Sequence, residues 1–339
     1  MKNILLSALI VVFAYAGSIA QPYTEPTSAA YKALVKEYVA AFQTGDLTKF
    51  KAALPAVEKA HPGHPNTLFF QAFYTEGSGG DHTAAMKGYS DVIRLNPDFT
   101  EAYQHRAVLF YRKGMYDRAV ADMDKAIETA GKDLYAAMYG DRGEFKYQAG
   151  DYPGAFADYT KATGMEPANP KWYIGVANTS IDMKNPAASE AVFKAALDGG
   201  QSSNGGIRAA YGNLLMRTQK FAEADAQCKL AFSASGFSPD AKDLNTAGIV
   251  AMKMRDYGRA SGLLERGMAK DPTDVDIVLN RASVAIEQKA WEDVYNYAQK
   301  AIAVDPKSAM ANMMMAVGIS RTNRGDALAA EYEAKAKKL

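Results

Sequence analysis

The sequence predicts an all-α fold, a solenoid of antiparallel helix hairpins, and three observations carry that expectation. A small residue returns at Ala107, Gly143, Ala177, Gly212, Gly248, Ala282 and Ala316, at spacings of 36, 34, 35, 36, 34 and 34 residues. A second register moves with it, because Ala119, Ala155, Ser189, Ala224, Ala260 and Val294 lie twelve residues after the first six. Pro97, Pro167, Pro272 and Pro306, with Gly131 and Gly236, close the periods. Proline and glycine both stop helices, and a period of this length marks a repeat architecture.

The elements follow in chain order. Met-Lys-Asn is followed by an apolar run from Ile4 to about Ala16 and then by Gly17, Ser18, Ile19 and Ala20. That is the layout of a secretory signal, and the run is shorter than the roughly 20 apolar residues of a membrane-spanning helix. Residues 1–20 are therefore expected to be a signal peptide cleaved after Ala20. The product would be periplasmic or secreted, with no transmembrane segment after cleavage. No cysteine stands at the new amino terminus, so it would not be a lipoprotein.

Residues 21–65 are expected to form a degenerate hairpin, with Gly45-Asp46 as its break and Pro55 interrupting its second helix. Residues 66–320 hold about seven to eight repeat units. Within them, breaks such as Lys113-Gly114, Ala149-Gly150 and Lys184-Asn185 separate two helices, and an aromatic residue (Tyr116, Tyr152, Phe221, Tyr257 or Trp291) usually opens the second. On that second helix Met123, Tyr159, Phe193, Cys228, Leu264 and Ala298 stand four residues past the small position. Ala126, Ala162, Ala196, Ala231, Gly267 and Ala301 stand three further on. Steps of four and three mark one helix face. Paired helices approach closely where both offer small residues, which sets Gly143 against Ala155. Residues 321–339 are expected to close the array with a polar capping helix.

The segment Tyr139-Gly-Asp-Arg-Gly143, with Gly150-Asp-Tyr152, Ala155, Tyr159, Ala162 and Pro167, resembles the tetratricopeptide repeat. The likeness covers about residues 66–320. It is best over 136–169 and extends to a first unit holding Ala85, Tyr89 and Pro97. It implies a right-handed superhelix, here of an exported bacterial type, whose first helices line a concave groove that binds a protein or extended peptide. Positions two, five, nine and twelve of each first helix share one face, and in the family that face lines the groove. Candidate groove residues are Tyr111, Glu144, Tyr147, Asn178, Asn213, Arg217, Asn245 and Lys253, expected to line one continuous wall. The amides would bond an extended backbone and the tyrosines would take side chains. Of the Lys, Asn and Arg set with which some members hold a terminal carboxylate, only Lys171, Asn178, Asn213 and Lys242 are present, so that specificity is not carried over.

Composition narrows the function. With 39 basic and 38 acidic residues the chain has no strong overall field, and nucleic acid is excluded as the expected partner. Cys228 is the single cysteine, so no internal disulfide forms, and it is expected to be a buried small hydrophobe. His61, His64, His82 and His105 lack the spaced partners of a metal or catalytic site, and His105 is assigned to packing or solvation. Gly77-Ser-Gly-Gly80 falls between two helices rather than after a strand, and Arg324-Gly-Asp326 falls at a repeat turn, so both are assigned to turns. No catalytic, cofactor or metal residues are assigned, and the expected function is a binding scaffold in envelope assembly, secretion or organisation. A saccharide-binding module or hydrolase-type enzyme on the same solenoid is the alternative, with aromatic faces for sugars and Glu144 and Asp182 as its carboxylates.

Overall fold

A computed structural model describes residues 26–79 and 81–339, so the expected signal peptide and its cleavage point lie outside the described residues. Among the described residues there are eighteen α-helices and no strand. The chain divides into two compact units, ending and beginning at Pro167 and Ala168. The first holds α1 (Ala29–Thr44), α2 (Thr48–Ala60), α3 (Pro65–Gly77), α4 (His82–Leu95), α5 (Thr100–Arg112), α6 (Tyr116–Ala130), α7 (Ala136–Gln148) and α8 (Tyr152–Met165). The second holds α9 (Pro170–Asp182), α10 (Pro186–Ala196), α11 (Gly205–Arg217), α12 (Phe221–Ser233), α13 (Ala241–Lys253), α14 (Tyr257–Lys270), α15 (Val275–Glu287), α16 (Trp291–Val304), α17 (Ala309–Arg321) and α18 (Asp326–Lys338). Consecutive odd and even helices pair, and each pair packs on the next within its unit.

From α5–α6 to α17–α18 the turn inside each hairpin repeats in detail. In α5–α6 the Met115 N–H donates to Phe110 O, in α7–α8 Asp151 N–H to Lys146 O, and in α13–α14 Asp256 N–H to Ala251 O, at 2.9 Å each. This six-residue closure satisfies a carbonyl that the helix end leaves orphaned, and it requires a left-handed residue just before the donor. Gly114 and Gly150 supply it at φ 72° and 85°. At the equivalent place Lys184, Gln219, Arg255, Lys289 and Asn323 hold φ between 54° and 63°, a region that costs a side-chain-bearing residue conformational energy.

The core follows the two registers, with one correction. A Cβ placed on Gly143 would lie 3.3 Å from the Tyr159 ring, one on Gly212 2.9 Å from Cys228 Sγ, and one on Gly248 2.6 Å from Leu264 Cγ. The small residue of the first helix thus meets the large position of the second first, ahead of Ala155 and its equivalents; at Gly212 the Ala224 carbonyl follows at 3.6 Å. The Cβ vectors of paired helices interleave, so a void left on one helix is filled by bulk from the other. Cys228 is buried here as a small hydrophobe, and burial pushes its thiol up to about 12.

The first hairpin departs from this rule. Tyr38 and Phe50 fill its interior with ring centroids 6.3 Å apart. Pro55 does not interrupt α2, which runs unbroken from Thr48 to Ala60. Pro55 and Lys51 are both exposed, so the Lys51 carbonyl that loses its helical donor faces solvent. Phe50, Leu54 and Val57, at steps of four and three, stay buried on the opposite face.

Two guanidinium clamps fix the middle of the first unit. Arg106 of α5 takes Asp122 of α6 through Nε and Nη2 at 2.7 Å each and reaches back to Ser90 Oγ of α4 at 2.9 Å. Arg142 of α7 takes Asp158 of α8 at 2.8 and 2.6 Å and reaches back to Asp124 of α6 at 2.8 Å. Each pairing is bidentate, the strong planar geometry of arginine and carboxylate, and each arginine ties its own hairpin to the one before.

Candidate functional site

In the first unit Tyr111, Glu144 and Tyr147 are partly buried on α5 and α7. Tyr111 Oη donates to Glu144 Oε1 at 3.0 Å, Tyr159 Oη donates to Oε2 at 2.9 Å, and Gln148 Nε2 donates to Oε1 at 3.0 Å. Burial, then the Glu144 charge and its hydrogen bond, hold both phenols well above the usual tyrosine range, so both remain donors. The Tyr111 ring lies 5.0 Å from that of Phe145, and the Tyr147 ring 5.4 Å from that of Tyr152. Glu144 is therefore a carboxylate held by three donors from α5, α7 and α8, an arrangement that fixes it in place.

A second buried carboxylate precedes it, and the sequence pattern did not indicate it. Glu76 on α3 accepts from Tyr89 Oη at 2.8 Å, lies 3.0 Å from His105 Nδ1 and 3.5 Å from Arg112 Nη1. Burial is the largest influence on Glu76 and pushes its pKa up, yet His105, Tyr89 and Arg112 together hold it below the usual carboxylate range. His105 is buried among Phe42, Phe69, Phe73 and Tyr89, with its Nε2 3.4 Å from Tyr38 Oη. Its role is packing beside a hydrogen-bonded carboxylate, not solvation.

In the second unit the groove amides bond to neighbouring helices. Arg217 Nη1 donates to Asn178 Oδ1 at 2.6 Å, Asn213 Nδ2 to Thr246 Oγ1 at 3.0 Å, and Asn280 Nδ2 to Asn245 Oδ1 at 2.9 Å. Each bond joins consecutive first helices. Each of these amides thus spends one end on a neighbouring helix, because adjacent first helices lie close enough, about 8–10 Å between axes, for facing polar side chains to reach one another. Lys253 is exposed at the end of α13. The structure brings Tyr111, Glu144 and Tyr147 together in the first unit, and Asn178, Asn213, Arg217, Asn245 and Lys253 onto consecutive helices of the second. Among the described residues no group of three or more histidine, cysteine or acidic side chains could hold a metal ion, and no helix is long and apolar enough to cross a membrane.

The family model for the tetratricopeptide repeat matches residues 106–171, which run from within α5 through α8 and include both arginine–aspartate pairs. These helix pairs are tetratricopeptide repeats. The repeat region is similar to the TPR repeat-containing protein MJ1428 of Methanocaldococcus jannaschii, 29% identical over 97 residues covering 29% of this chain and 17% of that protein. It is also similar to Hsp70-Hsp90 organizing protein 3 of Arabidopsis thaliana, 27% identical over 92 residues covering 27% of this chain and 16% of that one. The chain spans less than half the length of the curated relatives it matches. Yeast Tom70 shares the fold at a TM-score of 0.55 and 16% identity, over 94% of this chain and 70% of its own.

Proposed function

We propose that this tetratricopeptide-repeat chain is an exported binding scaffold, periplasmic or secreted, that holds a protein or a segment of one in envelope assembly, secretion or organisation. The observation that carries the reading is the asymmetry of the first helices. On α9, Trp172, Tyr173, Val176 and Ala177 are buried while Ile174 on the opposite face is 50% exposed. On α17, Met314 and Met315 are buried while Met310 and Met313 are 56% and 38% exposed. Apolar groups left open on first helices suit partner contact. The name of the plant relative, an organizing protein, is in keeping with a scaffold role. The signal layout supports export, and the mature chain is expected to begin at Gln21.

Site-specific photo-crosslinking in the producing cell tests this. A crosslinker at Tyr147 or Met252 should capture a partner protein, and one at Leu230, on the second-helix side, should not. With that partner in hand, Tyr147→Ala should weaken binding by about 1–3 kcal/mol in calorimetric titration, and Lys253→Ala by less, because a buried aromatic anchor outweighs a rim charge. Full-strength binding by both folded variants, or crosslinks only from Leu230, would remove the groove from the proposal. Amino-terminal sequencing that finds Met1 on cytoplasmic protein would remove export.

A further inference from the structure

In the second unit, position twelve of four consecutive first helices is Ile181, Met216, Met252 and Ile286, all partly buried. Each packs one side on the hairpin core and keeps part of its apolar surface open. Position thirteen runs beside this row as Asp182, Arg217, Lys253 and Glu287, acidic at the two ends and basic in the middle. The basic centre is reinforced by composition: α11 carries Arg208 and Arg217 with no acid, and α13 carries Lys242 and Lys253 with Asp243 as its single acid. That acid is engaged in the capping box with Asp240. Arg217 donates to a neutral amide and Lys253 is exposed.

We infer that this row is a seat for an amphipathic helix whose apolar face is flanked by acidic residues at its centre and basic residues at its ends. The inference rests on the groove reading above and specifies its ligand. An extended segment needs both a donor and an acceptor for its backbone, and the amides that could serve already spend one end on a neighbouring helix, Oδ1 at Asn178 and Asn245 and Nδ2 at Asn213. A helix satisfies its own backbone and needs only apolar contact. The spacing also agrees. Seven residues of helix rise about 10.5 Å, close to the roughly 8–10 Å between packed helix axes. A ligand helix lying across α9, α11, α13 and α15 therefore offers one heptad to each repeat. Charges in a plus, minus, minus, plus order at heptad spacing would meet Asp182, Arg217, Lys253 and Glu287 in turn. Methionines at two of the four seats adapt to differing side chains, so charge order and not the exact apolar residue sets the specificity.

The test uses the protein purified from the cells that make it and a synthetic four-heptad peptide. The peptide has leucine on one face, glutamate flanking it in the central two heptads and lysine in the outer two. Two controls keep that composition, one with the charges inverted and one with a central proline that breaks the helix. Fluorescence anisotropy should show saturable binding of the designed peptide, at least tenfold tighter than either control, with circular dichroism showing helix formation on binding. The double variant Arg217→Glu with Lys253→Glu, if it keeps its helical content, should bind the charge-inverted peptide better than the original. Should that variant unfold, Met252→Gln with unaltered charges should lower affinity at least fivefold while preserving the charge preference. No saturable binding of the designed peptide, equal binding of the proline peptide, or a charge preference unmoved by the double variant overturns the inference. A captured partner that crosslinks from Met252 through an extended or basic segment overturns this inference alone. Crosslinks confined to the second helices overturn the groove reading with it.

Discussion

Gly248→Ala adds one methyl group and tests the packing rule of the hairpins directly. The new Cβ would stand 2.6 Å from Leu264 Cγ and 2.8 Å from Cδ2, where carbon atoms prefer about 3.5–4.0 Å. Leu264 is fully buried, so it must leave its rotamer or α13 and α14 must separate, at about 1–3 kcal/mol. Alanine recovers about 0.5–1 kcal/mol over glycine inside a helix, leaving a net loss of about 0–2.5 kcal/mol. Leu264→Ala alone should cost about 2–5 kcal/mol through its cavity. Together the two should lose less than the sum, because the added methyl enters the space that the leucine leaves. The chain holds a precedent, since Ala282 and Ala298 occupy the same two positions one repeat later and both are buried. Urea unfolding followed by circular dichroism measures all three variants. A cycle additive to within about 0.5 kcal/mol, or a stabilised Gly248→Ala, would show that the two positions do not share one volume.

Asp158→Ala should lose about 1–3 kcal/mol in a thermal melt, because Arg142 would keep only the exposed Asp124 and Lys146 would lose its carboxylate; an unchanged melting temperature would contradict this. Burial first, then the neighbouring Asp240 charge, push Asp243 up to about 6 against the hydrogen bond that it accepts from the Asp240 N–H. A carboxyl raised in the folded state from 3.8 binds protons more tightly folded than unfolded. Stability therefore falls as pH rises through the window from about 4 to 6, by roughly 1–3 kcal/mol. Asp243→Asn should abolish that slope and melt higher at neutral pH. Arg255→Gly and Lys289→Gly should each stabilise by about 0.5–1 kcal/mol, because φ of 63° and 54° costs a side-chain-bearing residue more than glycine loses in entropy; unchanged urea midpoints would contradict this.

The helix hairpins were legible because their signals are local. Gly114 and Gly150 end first helices, and Ala107, Gly143 and Gly212 recur on the faces where paired helices meet. What each small residue faces was not legible from spacing, since Ala155 and Tyr159 lie one turn apart on the same stripe of α8 and only coordinates show that Tyr159 covers Gly143. Pro55 gave a false signal, because a proline whose lost hydrogen bond points to solvent does not end a helix already held by Phe50, Leu54 and Val57. The Glu76 and His105 pair was hidden for a different reason. The two residues are 29 apart, fall at unequal repeat positions and belong to no shared period.

The groove residues show a more general limit of periodicity, with a consequence for how binding is measured. Helical spacing assigns Asn178, Asn213 and Asn245 to one face, but a side chain on that face lies within reach of the next first helix as well as of a ligand. Once Asn213 bonds Thr246 and Arg217 bonds Asn178, the same residue sets the register of the stack and the polarity of the groove. Asn213→Ala would leave the buried Thr246 hydroxyl short of a donor and would cost stability of about 1–3 kcal/mol, so weaker ligand binding by that variant could arise from a loosened stack. Lys253 is exposed and gives a cleaner measure, whereas Met252 also packs on the core and needs its melting temperature checked first. Lost affinity in Met252→Gln or Lys253→Glu at an unchanged melting temperature would report on the groove itself, whereas loss confined to the asparagine variants would place the polar row in the scaffold and outside the binding surface.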